Sequence, residues 1–256
     1  MTTPDLVKLP FDTDEGFGAR ARIGLIVLES DQTIEAEARM FAIDGVDFYH
    51  SRIPNSMDVT PETLTDMEQR LPVAAGLLSR DFGFDAIGYG CTSAATLIGT
   101  EGVTAAIQSA HPGMFCSNPI SAAVAAFGSL GAHNIAIVTP YTADVTGPVA
   151  DRFRLAGLQV DAVGSFLEPS DLVVARISPE SIADGVRTLV AGADECDGVF
   201  VSCTSLRTLR MIEKLEADIG RPVVSSNLAL FWHLLRLAGV DDHLEGLGTL
   251  MRTSLG

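Results

Sequence analysis

At 256 residues the chain has room for one large domain or two small ones, and 47% hydrophobic content with 24 glycines suits buried strands joined to helices by tight turns. A net charge of −16, from 17 basic and 33 acidic residues, argues against nucleic acid and against an anionic membrane as partners. Four cysteines with no C-x-x-C spacing and no histidine at ligand spacing disfavour a structural metal site, and no apolar run approaches the roughly 18 residues of a membrane span.

In chain order, residues 1–21 read as a polar, acidic arm without a signal-peptide core, so a cytoplasmic protein with reduced thiols is expected. Residues 22–28 form an apolar run of strand length, and Asp31-Gln-Thr-Ile-Glu35 carries capping residues for a helix reaching about Phe41. A strand over 46–53, a polar loop over 54–61 and a helix from Thr60-Pro-Glu-Thr to about Arg80, with Pro72 inside it, come next. The pattern then predicts a strand at 84–90, a helix at 92–107, a short strand at 113–116, a turn at Ser117-Asn-Pro-Ile and a helix at 121–130. A second series repeats this order, with strands at 134–139, 159–164, 198–202 and 222–225 and helices at 142–156, 179–191, 206–219 and 228–237.

The two series are copies of one unit. Cys91-Thr-Ser and Cys203-Thr-Ser stand at one offset (203 − 91 = 112), and the strands beginning at Ile23 and Ile135 stand at the same one (135 − 23 = 112). Ser117-Asn118 and Ser226-Asn227 follow at 227 − 118 = 109, a three-residue deletion away. Strands alternating with helices of this length call for parallel sheets, whose ligands sit at the carboxyl ends of the strands. The fold class is therefore α/β, with two pseudo-symmetric Rossmann-like lobes, each a parallel sheet flanked by helices, and a site in the cleft between them.

A cysteine at a strand end that opens a helix faces unpaired N–H groups and the positive end of the helix dipole, which favour the thiolate. The Thr and Ser that follow add hydroxyl donors and a backbone nest for a carboxylate. Cys91 and Cys203 are thus the candidate catalytic pair, while Cys116 and Cys196 read as packing residues. His50, His111, His133, His233 and His243 form no recognisable triad, which disfavours a Cys-His hydrolase.

The paired Cys-Thr-Ser motifs, the Gly24-Leu-Ile-Val start, the Ile137-Val-Thr-Pro-Tyr141 strand end and the Val174-Ala-Arg-Ile177 segment resemble the aspartate/glutamate racemase superfamily. The resemblance runs from Arg22 onward and is greatest to the maleate cis–trans isomerase and arylmalonate decarboxylase branch. It implies a cofactor-free enzyme acting on a small carboxylate or amino-acid-like substrate, with a homo-oligomer expected. The C-terminal segment would pack back on the first lobe, giving lobes of 22–117 plus 232–256 and of 118–231, with 1–21 as an arm. Cys91 and Cys203 align with the family's catalytic cysteines, and Tyr141 with its substrate-binding tyrosine. Thr92, Ser93, Thr142 and Thr204 would hold carboxylate oxygens. The decarboxylases carry Gly at the first cysteine position, so Cys91 speaks for isomerase or racemase chemistry over decarboxylation through Cys203 alone. Asp31 and Asp171 stand where maleate isomerases have Asn, and both are expected in the substrate pocket if the alignment holds. Asp31 within the Gly-Leu-Ile-Val-Leu start also resembles the branch associated with ectoine utilisation.

Overall fold

The computed structural model describes residues 6–56, 60, 63 and 66–255. Pro61, the expected first position of the helix near residue 60, lies outside them, and the described helix there spans Met67–Gly76 with Pro72 inside it.

Two four-stranded sheets, parallel throughout, make up the molecule. The first contains β1 (Ala21–Leu28), β2 (Val46–Ile53), β3 (Ala86–Gly90) and β4 (Phe115–Ser117) in the order β2-β1-β3-β4. The second contains β5 (Asn134–Thr139), β6 (Gln159–Ser165), β7 (Gly198–Val201) and β8 (Val223–Ser225) in the order β6-β5-β7-β8. The repeated unit read from the sequence is thus a repeated sheet. Every residue of β3 and β7 is buried, as expected of central strands covered on both faces, whereas β6 at an edge alternates between exposed and half-buried.

Helices α1 (Ile34–Ala38) and α2 (Met67–Gly76) belong to the first unit. The single helix expected over 92–107 is two, α3 (Thr92–Ile98) and α4 (Thr100–Ala110). The break is at Gly99, whose φ of 85° no helix uses, and Arg152 fills the corner by donating from Nε to Thr96 O at 2.7 Å. Next come α5 (Pro119–Leu130), α6 (Ala143–Leu155), the short α7 (Asp171–Val174), α8 (Pro179–Val190), α9 (Leu209–Ile219) and α10 (Ser226–Leu237).

The helices after the fourth strands change sheets. Helix α5 follows β4 but lies on the second sheet, where a Cβ on Gly198 would stand 3.0 Å from the Phe127 ring. Helix α10 follows β8 but lies on the first sheet, so close that a Cβ on Gly88 would meet Leu234 Cδ1 at 2.6 Å. Phe231 of α10 packs on Phe41 and Phe48 with ring centroids 4.7 and 5.4 Å apart. The two exchanged helices pack against each other and join the lobes. Beyond α10, Arg236 gathers the carbonyls of Val240, Met251 and Thr253, which fixes the C-terminal segment to that helix.

Candidate active site

Both Cys-Thr-Ser turns arrive at one place because both sheets present the carboxyl ends of their central strands to the interlobe cleft. Cys91 follows β3 directly and caps α3: its backbone is extended, and its Sγ accepts the Ala94 N–H at 3.5 Å and contacts Ser93 Oγ at 3.6 Å. Cys203 differs. Its φ of 101° is unusual for a residue with a side chain, and a turn rather than a helix follows it. The helix expected from residue 206 begins at Leu209 instead. Glu37 of the first lobe sets that start, accepting the N–H groups of Thr208 at 2.6 Å and Leu209 at 2.9 Å through one oxygen and the Asn227 amide at 2.7 Å through the other.

The turns are laced together. Ser226, the first residue of α10, accepts from Thr92 Oγ1 at 2.8 Å and from the Cys203 N–H at 2.9 Å. Thr204 reaches back to Gly90 O at 3.3 Å, and Thr33 donates to Ser205 O at 2.8 Å.

One small cavity of about 20 Å³ is walled by Cys91, Thr92 and Ser93 from the first lobe and Tyr141, Asp171, Cys203, Thr204 and Ser205 from the second. Leu28, Asn55, Ser56, Thr63 and Met67 complete it. Of the residues singled out in the sequence, Cys91, Cys203, Thr92, Ser93, Tyr141, Asp171 and Thr204 are therefore brought together. Thr142 caps α6 without a side-chain bond and stands outside this lining. Asp31 also stands outside it, buried behind Thr204: its Oδ1 accepts the N–H groups of Thr33 at 2.7 Å and Ile34 at 2.8 Å, while Oδ2 has no partner.

The sequence marks Ser205 only through the Cys-Thr-Ser motif, as the counterpart of Ser93. It places Ser30 only at the carboxyl end of a strand, where ligands sit, and passes over Asn55, which no motif marks. Asn55 donates to Ser30 Oγ at 2.9 Å, Ser30 donates to Asp171 Oδ2, and Ser205 donates to Asp171 Oδ1 at 2.9 Å. Asp171 is thereby held by hydroxyls from both lobes. No Lys, Arg or His is among the described residues lining the cavity.

The electrostatics correct the expectation of thiolates. Burial pushes the Cys91 thiol up to about 11, and the charge of Asp171 adds to the rise, against the Ala94 N–H, Ser93 and Tyr89. Burial pushes Cys203 up further, again with Asp171 adding to the rise, against the Tyr141 hydroxyl and the Ser205 N–H. A helix N-terminus at Cys91 does not outweigh complete desolvation, and Cys203 has no adjoining helix to draw on. Burial therefore favours the protonated form of both thiols. Burial likewise raises Asp31 to about 6 and Glu37 to about 7.

Two thiols on one small cavity, amid Thr and Ser hydroxyls, are the arrangement of a cysteine enzyme for a small anion. The model of the arylmalonate decarboxylase (Amdase) family matches residues 23–251. The chain belongs to that family. It stands within the Asp/Glu racemase superfamily, on the branch of maleate isomerases and arylmalonate decarboxylases. It is 28% identical over 245 residues to the maleate isomerase of Geobacillus stearothermophilus, covering 90% of this chain and 96% of that one. The crystal structure of a cysteine-to-alanine variant of the Pseudomonas putida S16 maleate isomerase with maleate superposes with a TM-score of 0.82 at 26% identity, over 91% of this chain and 97% of that one. The arylmalonate decarboxylase of Bordetella bronchiseptica is 31% identical over 127 residues, half of this chain and 53% of its own.

Proposed function

We propose that this family member is a cofactor-independent isomerase of a small carboxylic acid and that Cys91 and Cys203 carry the reaction. The observation behind this reading is that both thiols wall one cavity and the turns that carry them are laced through Ser226, in a chain whose full-length relatives include maleate isomerases. The substrate carboxylate is held by Thr92, Ser93 and Thr204, with Tyr141 beside Cys203.

For an unsaturated acid of the maleate type, the Cys91 sulfur bonds one alkene carbon as the thiolate while Cys203 gives its proton to the other. Rotation about the resulting single bond follows. Cys203 then takes the proton back as the Cys91 C–S bond breaks, and the trans isomer leaves. Cys91 favours this over a decarboxylation that needs only Cys203. A cytoplasmic setting and a place in ectoine utilisation complete the reading, the latter resting on the Gly24-Leu-Ile-Val-Leu28 start and on Asp31.

Incubation with a panel of small unsaturated acids, maleate and amino-bearing analogues among them, followed by intact-mass analysis tests it. The Cys203→Ser variant should accumulate an adduct of one substrate mass on Cys91, and wild type should release the trans acid. If no small unsaturated or α-chiral acid gives an adduct, isomerisation or deuterium uptake, the isomerase reading fails.

A further inference from the structure

We propose that Asp171 is a recognition site for a cationic nitrogen on the substrate, so that the cleft selects an acid with one carboxylate and one ammonium over a dicarboxylate. The inference rests on the isomerase reading for where the substrate sits, and the charge pattern around that position carries it. Asp171 lines the cavity at 7% exposure, and the donors to its two oxygens are Ser30 and Ser205, both uncharged. A buried carboxylate held only by neutral hydroxyls lacks the counter-charge that such a group normally finds. No cationic side chain among the described lining residues supplies one.

A second carboxyl repeats the pattern from behind. Asp31 is 4% exposed, Thr204 of the cavity wall lies beside it, the charge of Asp171 acts on it, and its Oδ2 has no hydrogen-bond partner within normal bonding geometry among the described residues. A buried carboxylate on a cavity wall with no cation among the described lining residues marks a place for a donor brought by the ligand. The hydroxyl of Ser93 beside Cys91 suits a carboxylate. A second carboxylate at the far end would meet Asp171 in a water-poor cavity, where like charges repel strongly. An ammonium there would be attracted by Asp171 and would donate to its oxygens.

β-Alanine and malonate are matched probes, since each spans three carbons and they differ in one end group. Calorimetry at pH 7 should show wild type binding β-alanine at least tenfold tighter than malonate, with β-alanine protecting Cys91 and Cys203 from alkylation. Asp171→Asn should lose at least tenfold for β-alanine and gain for malonate, and Asp171→Glu, which keeps the charge, should keep the wild-type order. Malonate binding wild type as tightly as β-alanine, or no β-alanine binding at all, would overturn the proposal, and neither result needs a variant to fold. Either outcome beside a working two-cysteine isomerisation would leave the isomerase reading standing. A preference for β-alanine in a protein whose turnover survives loss of both thiols would sink that reading alone.

Discussion

The turn at Cys91 and the turn at Cys203 carry the same three residues and occupy equivalent places after the third strand of each sheet, yet they have different backbones. At Cys91 the chain stays extended and a helix opens at Thr92, with the thiol as its cap. At Cys203 the chain turns through a φ of 101°, and five residues separate the cysteine from the helix at Leu209. The difference originates outside the motif. In the second lobe the helix start is held by Glu37, 172 residues away from Leu209 in sequence, so the stretch 204–208 is free to form the wall of the cavity. A duplicated unit has thus become one regular half and one strained half, as expected when strain is retained at a functional position.

The largest effect that could break this comparison is on the reaction itself. If the halves divide acid and nucleophile between them, Cys91→Ser and Cys203→Ser should each lower turnover by about 10²–10⁴-fold, the usual worth of a positioned acid–base group. Steady-state rates on the substrate identified by adduct formation provide the measurement. Should one variant retain near-wild-type turnover, its cysteine would be a packing residue and the two halves would not share the chemistry.

Much of this was legible in the sequence for physical reasons. Parallel strands buried on both faces are unbroken apolar runs, so β1, β3, β5 and β7 stand out, and the offset of 112 between the cysteines announces the doubling. What escaped depends on partners distant in sequence. Gly99 inside an apparent helix reads as a tolerated residue until Arg152 is seen in the corner it opens. Leu206 reads as the start of a helix until Glu37 is seen capping Leu209. The thiol acidities were misjudged because the sequence shows a helix start but cannot show complete burial. Thr142 aligns with Ser30 at the offset of 112, yet only Ser30 hydrogen-bonds to Asp171.

The ends of the first strands extend the comparison and predict a smaller effect. After β1 comes Asp31, a buried carboxyl raised from 3.8 to about 6, and after β5 its counterpart at the offset of 112 is Ala143, which has no carboxyl. A carboxyl whose folded pKa exceeds its unfolded value keeps its proton more readily when folded, so stability falls as pH rises between the two values. Wild type should therefore lose about 2–3 kcal/mol from this group between pH 4 and pH 7. Asp31→Asn cannot ionise and should close that gap: equal to wild type near pH 4, more stable by pH 7. Urea denaturation at several pH values reads the difference. A constant offset between the two proteins across this range would mean that Asp31 is ionised throughout.

The smallest effect isolates the backbone. Alanine and glycine both remove the sulfur, but alanine keeps the Cβ that makes a φ of 101° unfavourable and glycine does not. At position 203, glycine relieves strain of about 1–3 kcal/mol, less about 0.4–1 kcal/mol for the freedom it adds to the unfolded chain. Cys203→Gly should therefore be more stable than Cys203→Ala by roughly 1 kcal/mol. At position 91 the backbone is extended with φ −146°, so no strain is relieved and only the unfolded-state cost remains. Cys91→Gly should then be less stable than Cys91→Ala by about 0.4–1 kcal/mol. The test is the sign reversal between the two sites, read from urea midpoints at unchanged slope. If glycine is the weaker substitution at both, the turn at Cys203 is not strained, and its departure from the turn at Cys91 reflects loop length alone.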